Sequence, residues 1–229
     1  MKKKGHFSSE TYRFLTDLST NNNREWFQVN KERYEEKVKR PALEFIEDFG
    51  VLLREISPHF RADPRARGGS LFRIYRDVRF SKDKSPYKTA VGIQFRHEAG
   101  KDAHAPGFYL HLEPRQSFVG LGIWRPDGKT LRKIRERVAG DPDSWDEAVS
   151  NPSFAERFEL SGERLVRPPR GFDPTHPMVE ALKWKDYVAM APLTEEAVVG
   201  REFLETYATY CRDGLPFVSF LCRALGLSV

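Results

Sequence analysis

The spacing of hydrophobic residues divides the chain into three regions. In residues 8–56 apolar side chains recur every three or four positions, which indicates amphipathic helices. In residues 70–126 the period changes to two, as in strands with one buried face. Helical spacing returns in residues 127–225, with short interruptions. Helices, then a sheet, then more helices predict an α+β fold.

The central region predicts an antiparallel meander of about four strands, joined by short loops. These strands are "LFRIYRDVRF", "AVGIQFRHE", "GFYLHLEP" and "SFVGLGIWRP". In the first, residues 73, 75, 77 and 79 form a polar face, and Arg76 is a charged residue on the apolar face. We expect one α+β domain over residues 1–229, in which helices precede and follow the strands along the chain. Residues 1–6 are expected to be disordered. Within the first helical region, Pro41 either kinks a long helix or begins its second half.

Composition excludes several classes of protein. With 39% hydrophobic and 31% charged residues, the chain suits a soluble domain. No apolar run approaches the roughly 20 residues of a membrane span, and "MKKKGHFSSE" lacks the apolar segment of a signal peptide, so a cytoplasmic location is expected. Cys211 and Cys222 lie eleven residues apart in a predicted helix, which predicts no disulfide. No phosphate-binding or dinucleotide fingerprint occurs, and no cofactor is expected.

Positive charge is concentrated in one part of the chain. The formal net charge is +5, but residues 61–101 contain eleven Lys and Arg against four Asp and Glu. This window therefore carries +7, and the remainder carries about −2. A local cationic cluster attracts anions, whereas evenly spread lysines mainly improve solubility.

The basic window has the residue types of a phosphate-binding surface. Same-face residues of a strand lie about 6.5–7 Å apart, which resembles the phosphate spacing of an extended nucleic-acid strand. We expect phosphate contacts from Arg73, Arg79, Lys84 and Lys88. Asp77 would orient the arginines, and Tyr87 would offer a ring for a base. An ordinary ladder of charged cross-strand pairs is the structural alternative.

Arg76 requires a separate explanation because its face is apolar. A buried guanidinium is very costly unless a carboxylate or carbonyl groups accept its hydrogen bonds. We therefore expect either a buried ion pair or a guanidinium directed into a pocket.

A second candidate lies in "NNNREWF", residues 21–27. A helix that begins there presents free backbone N–H groups, which bind phosphate, and Arg24 and Trp26 would assist by charge and by stacking. The alternative is that the asparagines cap the helix while Trp26 and Phe27 pack inward. Trp124, at the end of the last meander strand, either walls a basic groove or seals the core.

Two metal sites were considered. A metal-dependent nuclease needs paired carboxylates, and Asp77 has only Asp83 or Glu113 as a partner. His97, His104 and His111 recur every seven residues and could form a zinc site, although exposed histidines in a polar loop are the simpler interpretation. The sequence predicts no metal site.

Three blocks resemble a known family: "FLTDLSTNNNREWF", "RIYRDVRFSKDKSPYK" and "GIWRPDGKTLRKIRERV". They are similar to domain of unknown function family 2461, from about Phe7 to beyond Tyr187. The resemblance implies a mixed α and β domain and supplies no activity, catalytic residue or cofactor. Residues that match the family pattern are Asn22, Arg24, Trp26, Arg73, Arg76, Asp77, Arg79, Phe80, Lys84, Pro86, Tyr87 and Lys88.

The leading hypothesis is a basic, aromatic-lined groove that binds a phosphate-rich ligand, either nucleic acid or a nucleotide. One alternative is an interaction or scaffold domain with an acidic protein partner. A metal-dependent phosphodiesterase or nuclease is another. The sequence does not decide whether the protein is an enzyme.

Overall fold

The computed structural model describes residues 5–100 and 105–229. The helices before the sheet are α1 (Ser9–Thr20), α2 (Arg24–Val29), α3 (Lys31–Tyr34) and α4 (Arg40–Ile56), and a π-helical turn, Glu35–Lys39, joins α3 to α4. The later helices are α5 (Gly128–Gly140), α6 (Pro142–Ser150), α7 (Pro152–Ala155), α8 (Val179–Leu182), α9 (Glu195–Val199) and α10 (Phe203–Ala224). The strands are β1 (Val91–Arg96), β2 (Gly107–Leu112), β3 (Phe118–Ile123), β4 (Glu159–Ser161) and β5 (Tyr187–Pro192). The mixed α+β fold is as predicted.

The helix boundaries follow from capping and proline. Asn23 caps α2 by accepting a hydrogen bond from the Trp26 N–H at 2.9 Å. Pro41 lies in the first turn of α4, directly after the π-helical turn Glu35–Lys39. It therefore begins the second half of a helical backbone that is continuous from Lys31 to Ile56. None of the described helices is long and apolar enough to span a membrane.

The five strands form one antiparallel sheet with the order β1-β2-β3-β5-β4. Strands β1 to β3 are the predicted meander, and β5 adds to its β3 edge. The prediction of a first strand at residues 71–80 is wrong, and residues 71–88 form instead what we call the looped segment. Its backbone makes only isolated bridges, from Leu71 to Ile93 and from Tyr75 to Tyr87.

The looped segment leaves the sheet because its backbone groups pair with each other. The Lys88 N–H donates to the Ile74 carbonyl at 2.7 Å, and the Arg76 N–H donates to the Pro86 carbonyl at 2.9 Å. The predicted alternation of faces holds near its start, where Ile74 is buried and Tyr75 is exposed. It fails at Phe80, which is 95% exposed.

Helices α4 and α10 cover one face of the sheet. The Phe49 ring lies 4.7 Å from that of Phe95 on β1 and 4.8 Å from that of Tyr207 on α10. Both cysteines, on α10, are free and buried, as predicted. The odd-numbered residues of β1 pack against these helices, so its even-numbered residues face the opposite side of the sheet. The candidate site lies on that opposite side.

The N-terminal residues differ from expectation at His6. Its Nε2 atom lies 2.8 Å from the Asp48 carboxylate, and its ring meets Phe45 edge-on at 5.6 Å. His6 thus contacts α4, whereas the sequence placed it in a disordered segment. The rest of that prediction, residues 1–4, lies outside the described residues.

Candidate functional site

A cavity of about 700 Å³ lies on the sheet face that α4 and α10 do not cover. Its floor consists of outward-facing side chains from β1, β2, β3 and β5, in three cross-strand rows. The rows are Gly92, His111 and Phe118; Gln94, Tyr109, Gly120 and Met190; and Arg96, Gly107, Gly122 and Val188. Each row contains at least one glycine next to larger side chains. The missing side chains leave space between the larger ones, which makes the surface concave.

Gly92 allows two aromatic side chains to lie across the floor. A Cβ atom at this position would be 2.6 Å from the Tyr109 hydroxyl and 2.8 Å from a ring carbon of Phe72. Both distances are shorter than a van der Waals contact, so any larger residue would displace these rings. Tyr109 and Phe72 therefore meet above Gly92, and their ring centres are 5.9 Å apart.

The looped segment supplies a cationic wall. Arg76 and Lys88 line the cavity, and the Lys88 ammonium lies 5.2 Å from the centre of the Phe72 ring. Arg76 also forms an ion pair with Asp83. The ion pair is not the buried one considered from the sequence, because the Asp83 side chain is 58% exposed, and the pocket-facing position is the alternative that fits.

Lys88 is a half-buried cation with no counter-charge in the part of the chain that the structure describes. Among the described residues, no carboxylate lies within ion-pairing distance of its ammonium group. Burial, and secondarily the charge of Arg73, lower the pKa of Lys88. An anion in the cavity would relieve both effects.

The rest of the lining adds charge and aromatic surface. Arg96 lines the cavity, and its Nε donates to the Gly100 carbonyl at 3.2 Å. Trp124 also lines it and is 51% exposed, which favours the groove-wall interpretation over burial in the core. Phe118 contributes a ring that stacks on His111 at 4.7 Å.

Two side chains on β2 and one from the residue that follows it form a hydrogen-bonded row within the cavity, which we call the β2 relay: Tyr109, His111 and Glu113. The Tyr109 hydroxyl lies 3.1 Å from His111 Nδ1, and His111 Nε2 lies 3.0 Å from a Glu113 carboxylate oxygen. Thr89 donates to the other carboxylate oxygen at 3.1 Å. Burial, with a contribution from Glu113, raises the pKa of Tyr109 to about 12, so the phenol is neutral at physiological pH.

Sequence reasoning overlooked Tyr109 and did not connect His111 with Glu113. The available signal was the alternation in "YLHLE", residues 109–113, which places the three polar side chains on one face of a strand.

Tyr87 does not have the position expected of a stacking platform. It is 3% exposed, and its ring stacks on Phe27 at 4.1 Å. Its backbone N–H and carbonyl are both bonded to the Asn22 side chain, at 3.0 and 2.9 Å. The residue thus anchors the looped segment to α2, and its ring has little surface free for a base.

The remaining basic residues of the segment are exposed: Arg73, Arg79, Lys82 and Lys84. The last three lie in residues 77–84, which we call the exposed loop. Arg79 donates to Asp77 at 2.9 and 2.7 Å and lowers the pKa of that carboxyl to about 2. Asp77 therefore orients Arg79. Lys84 donates to the Val78 carbonyl at 2.9 Å. None of these three charged residues lines the cavity.

At α2 the structure favours the structural alternative. Asn23 serves as the cap, and the Trp26 ring packs 5.7 Å from that of Phe14. Arg24 is exposed. Neither Arg24 nor Trp26 lines the cavity.

Residues considered as metal ligands have other partners. His97 is 3% exposed and its Nε2 lies 2.8 Å from the Ser228 carbonyl, so it is not the exposed loop residue that the sequence indicated. His104 lies outside the described residues. Within residues 5–100 and 105–229, no three His, Cys, Asp or Glu side chains are grouped as metal ligands.

Comparison with other proteins identifies a family. No curated protein and no solved structure matches the chain. The model of one family, described as "Conserved hypothetical protein (DUF2461)", matches residues 10–220, a range that contains every residue of the cavity. The chain therefore belongs to the DUF2461 family.

Proposed function

We propose that the cavity binds a small phosphate-bearing ligand of nucleotide size. The observation that supports this most directly is Lys88, a half-buried cation on the cavity wall with no carboxylate partner among the described residues. Charge-assisted hydrogen bonds to phosphate are among the strongest polar contacts, and a partly buried site strengthens them.

The size and lining of the cavity favour a nucleotide over an extended nucleic-acid strand. A volume of about 700 Å³ lies within the range of pockets that enclose small molecules. Phe72, Phe118 and Trp124 offer ring surface for a base, while Lys88, Arg76 and Arg96 supply positive charge. The basic window around them would also attract anions from solution.

A second candidate is an interaction with an acidic protein through the exposed loop. Phe80 is 95% exposed there, and Lys82 and Lys84 are exposed beside it. An exposed aromatic side chain among cations is typical of interface anchors. This function requires the loop and not the cavity.

Thermal denaturation distinguishes the two. We expect adenosine 5′-(β,γ-methylene)triphosphate and methylenediphosphonate to raise the unfolding midpoint, because a ligand that binds only the native state stabilises it. At a hundredfold excess over Kd the gain is about 2.7 kcal/mol, or about 5–10 °C for a chain of this length. The shift should shrink as salt is raised.

The control ligand is adenosine, which lacks phosphate and should produce a much smaller shift. Absence of any shift with either phosphate analogue would contradict the proposal and leave the exposed loop as the better candidate. A shift seen only with long oligonucleotides, and lost steeply with salt, would indicate a surface for extended nucleic acid instead of the cavity.

A further inference from the structure

The hydrogen-bond directions in the β2 relay follow from its chemistry. An ionised carboxylate only accepts hydrogen bonds, so Glu113 requires a proton on Nε2 of His111. In the neutral imidazole the other nitrogen, Nδ1, is then bare and accepts the Tyr109 O–H. The Tyr109 oxygen therefore turns its lone pairs, and not its proton, toward the remaining space of the cavity.

The order hydroxyl, imidazole, carboxylate is the one found where an enzyme activates a hydroxyl group. A hydroxyl, an imidazole that accepts its proton and a carboxylate that orients the imidazole are the parts of a nucleophile–base–orienter set. In Tyr109, His111 and Glu113 they occur in that sequence at 3.1 and 3.0 Å. His111 is held further by stacking on Phe118, and Glu113 by Thr89.

The relay lies beside the cationic wall. The Tyr109 hydroxyl and the Phe72 ring meet above Gly92, and the Phe72 ring lies beneath the Lys88 ammonium. The Phe72 ring therefore contacts both the Tyr109 ring and the Lys88 ammonium, and all three side chains line the same cavity.

We infer that the β2 relay is a proton shuttle for hydrolysis of a phosphoester bound in the cavity, an activity that rests on the proposed function. Tyr109 is the catalytic residue, because it lines the cavity in which the ligand binds and its oxygen can accept a proton from a water there. His111 is the proton acceptor behind it, and Glu113 is a positioning residue.

The reaction is balanced without a further reagent. A water oxygen forms a bond to phosphorus while one water proton passes to the Tyr109 oxygen and the Tyr109 proton passes to His111 Nδ1. The bond between phosphorus and the ester oxygen breaks, and its electron pair stays on the leaving oxygen, which takes a proton from solvent. His111 then returns its additional proton to solvent, so one water molecule is consumed for each ester bond.

Tyr109 remains neutral throughout this exchange. Its raised pKa makes a free tyrosinate costly at neutral pH, but the shuttle forms none because one proton arrives as the other leaves. The positive charge that develops on His111 is balanced by Glu113.

The test uses the full chain with two chromogenic probes, 4-nitrophenyl phosphate and bis(4-nitrophenyl) phosphate. We expect the wild-type protein to release 4-nitrophenolate from at least one of them. Tyr109→Phe and His111→Gln should each lower kcat by about a hundredfold or more, as expected for loss of general acid–base catalysis. Binding of methylenediphosphonate should be retained within about threefold, since none of the substituted groups is a phosphate-binding cation.

Tyr75→Phe and His59→Gln are the matched controls. Both residues lie outside the cavity, and His59 instead pairs with Glu98 at 2.9 Å. Their kcat should equal that of the wild-type protein.

A spectroscopic measurement tests the relay without any substrate. A long-range proton–nitrogen spectrum should show neutral His111 protonated at Nε2, and Glu113→Gln should disturb that tautomer. Protonation at Nδ1 in the wild-type protein would overturn the shuttle, because Tyr109 would then have no acceptor.

The outcomes separate the two proposals. Binding of methylenediphosphonate without wild-type turnover of either chromogenic probe would overturn the shuttle and leave the proposed function intact. Absence of that binding would overturn both. Turnover that persists in Tyr109→Phe would also overturn the shuttle.

Discussion

The Lys88→Met variant is expected to bind methylenediphosphonate about tenfold to hundredfold more weakly than the wild-type protein. A hydrogen bond to a charged group contributes about 1.5–3 kcal/mol, and each 1.4 kcal/mol is a tenfold change in Kd. Methionine retains most of the length and apolar stem of lysine while removing the charge. Titration calorimetry at constant ionic strength measures the difference directly.

Lys82→Met provides the matched control. Lys82 belongs to the same basic loop but is exposed and does not line the cavity. Its loss removes one charge from the long-range field, so we expect less than about a twofold change in Kd at physiological salt. Equal losses of affinity in the two variants would indicate diffuse attraction to the basic loop and contradict a defined site at Lys88.

The Lys88→Met variant should not lose stability relative to the wild-type protein. The pKa of Lys88 is lowered in the folded state, so the charged folded form carries a penalty relative to the unfolded chain. That penalty is fully present below the folded pKa and disappears as the pH rises through the unfolded value. At neutral pH, Lys88→Met should therefore leave the unfolding midpoint unchanged or raise it. Weaker binding combined with equal or greater stability is the signature of a functional residue.

The largest loss of stability is expected for Gly122→Ala. Gly122 has a φ of 105°, which side-chain-bearing residues rarely adopt, and a Cβ atom there would lie 2.1 Å from the Tyr187 carbonyl oxygen of β5. The backbone conformation and the overlap each cost about 1–3 kcal/mol. We expect a total loss of about 3 kcal/mol or more in the free energy of unfolding, measured by urea denaturation.

Gly128→Ala is the control for this substitution. Gly128 begins α5, has no unusual φ, and a Cβ atom there would meet nothing within 4 Å. Its stability should be unchanged or slightly higher, since alanine favours a helix over glycine. If Gly122→Ala were as stable as Gly128→Ala, the close approach of β3 to β5 beneath the cavity would be disproved.

Local patterns were sufficient to predict the helical regions and three strands of the antiparallel meander. Pro41 acts through its ring and Asn23 through its capping side chain, and both effects are local to the sequence. The segment that begins at Leu71 has a strand-like alternation but forms no strand, because its hydrogen-bond partners are residues 86–88. Alternation of apolar and polar residues predicts which face of a segment is buried. It does not predict the segment's backbone hydrogen-bond partners, which depend on the tertiary fold.

For the site, charge was a better guide than aromatic content. The sequence located the basic segment, and two of its cations, Arg76 and Lys88, line the cavity. Tyr87, by contrast, is buried because Phe27 lies against its ring, a contact across 60 residues that no local pattern predicts. Tyr109 was overlooked because its role depends on His111 and Glu113 being neighbours on one strand face.

The most direct test of the account is to locate the residues that a bound nucleotide contacts. Glycine-selective nitrogen-15 labelling gives amide signals for the 16 glycines, four of which, Gly92, Gly107, Gly120 and Gly122, lie on the cavity floor. On titration with adenosine 5′-(β,γ-methylene)triphosphate, we expect these four signals to shift while those of distant Gly140 and Gly226 stay fixed. Shifts confined to glycines outside the cavity, or no shifts at all, would contradict the claim that this cavity is the ligand site.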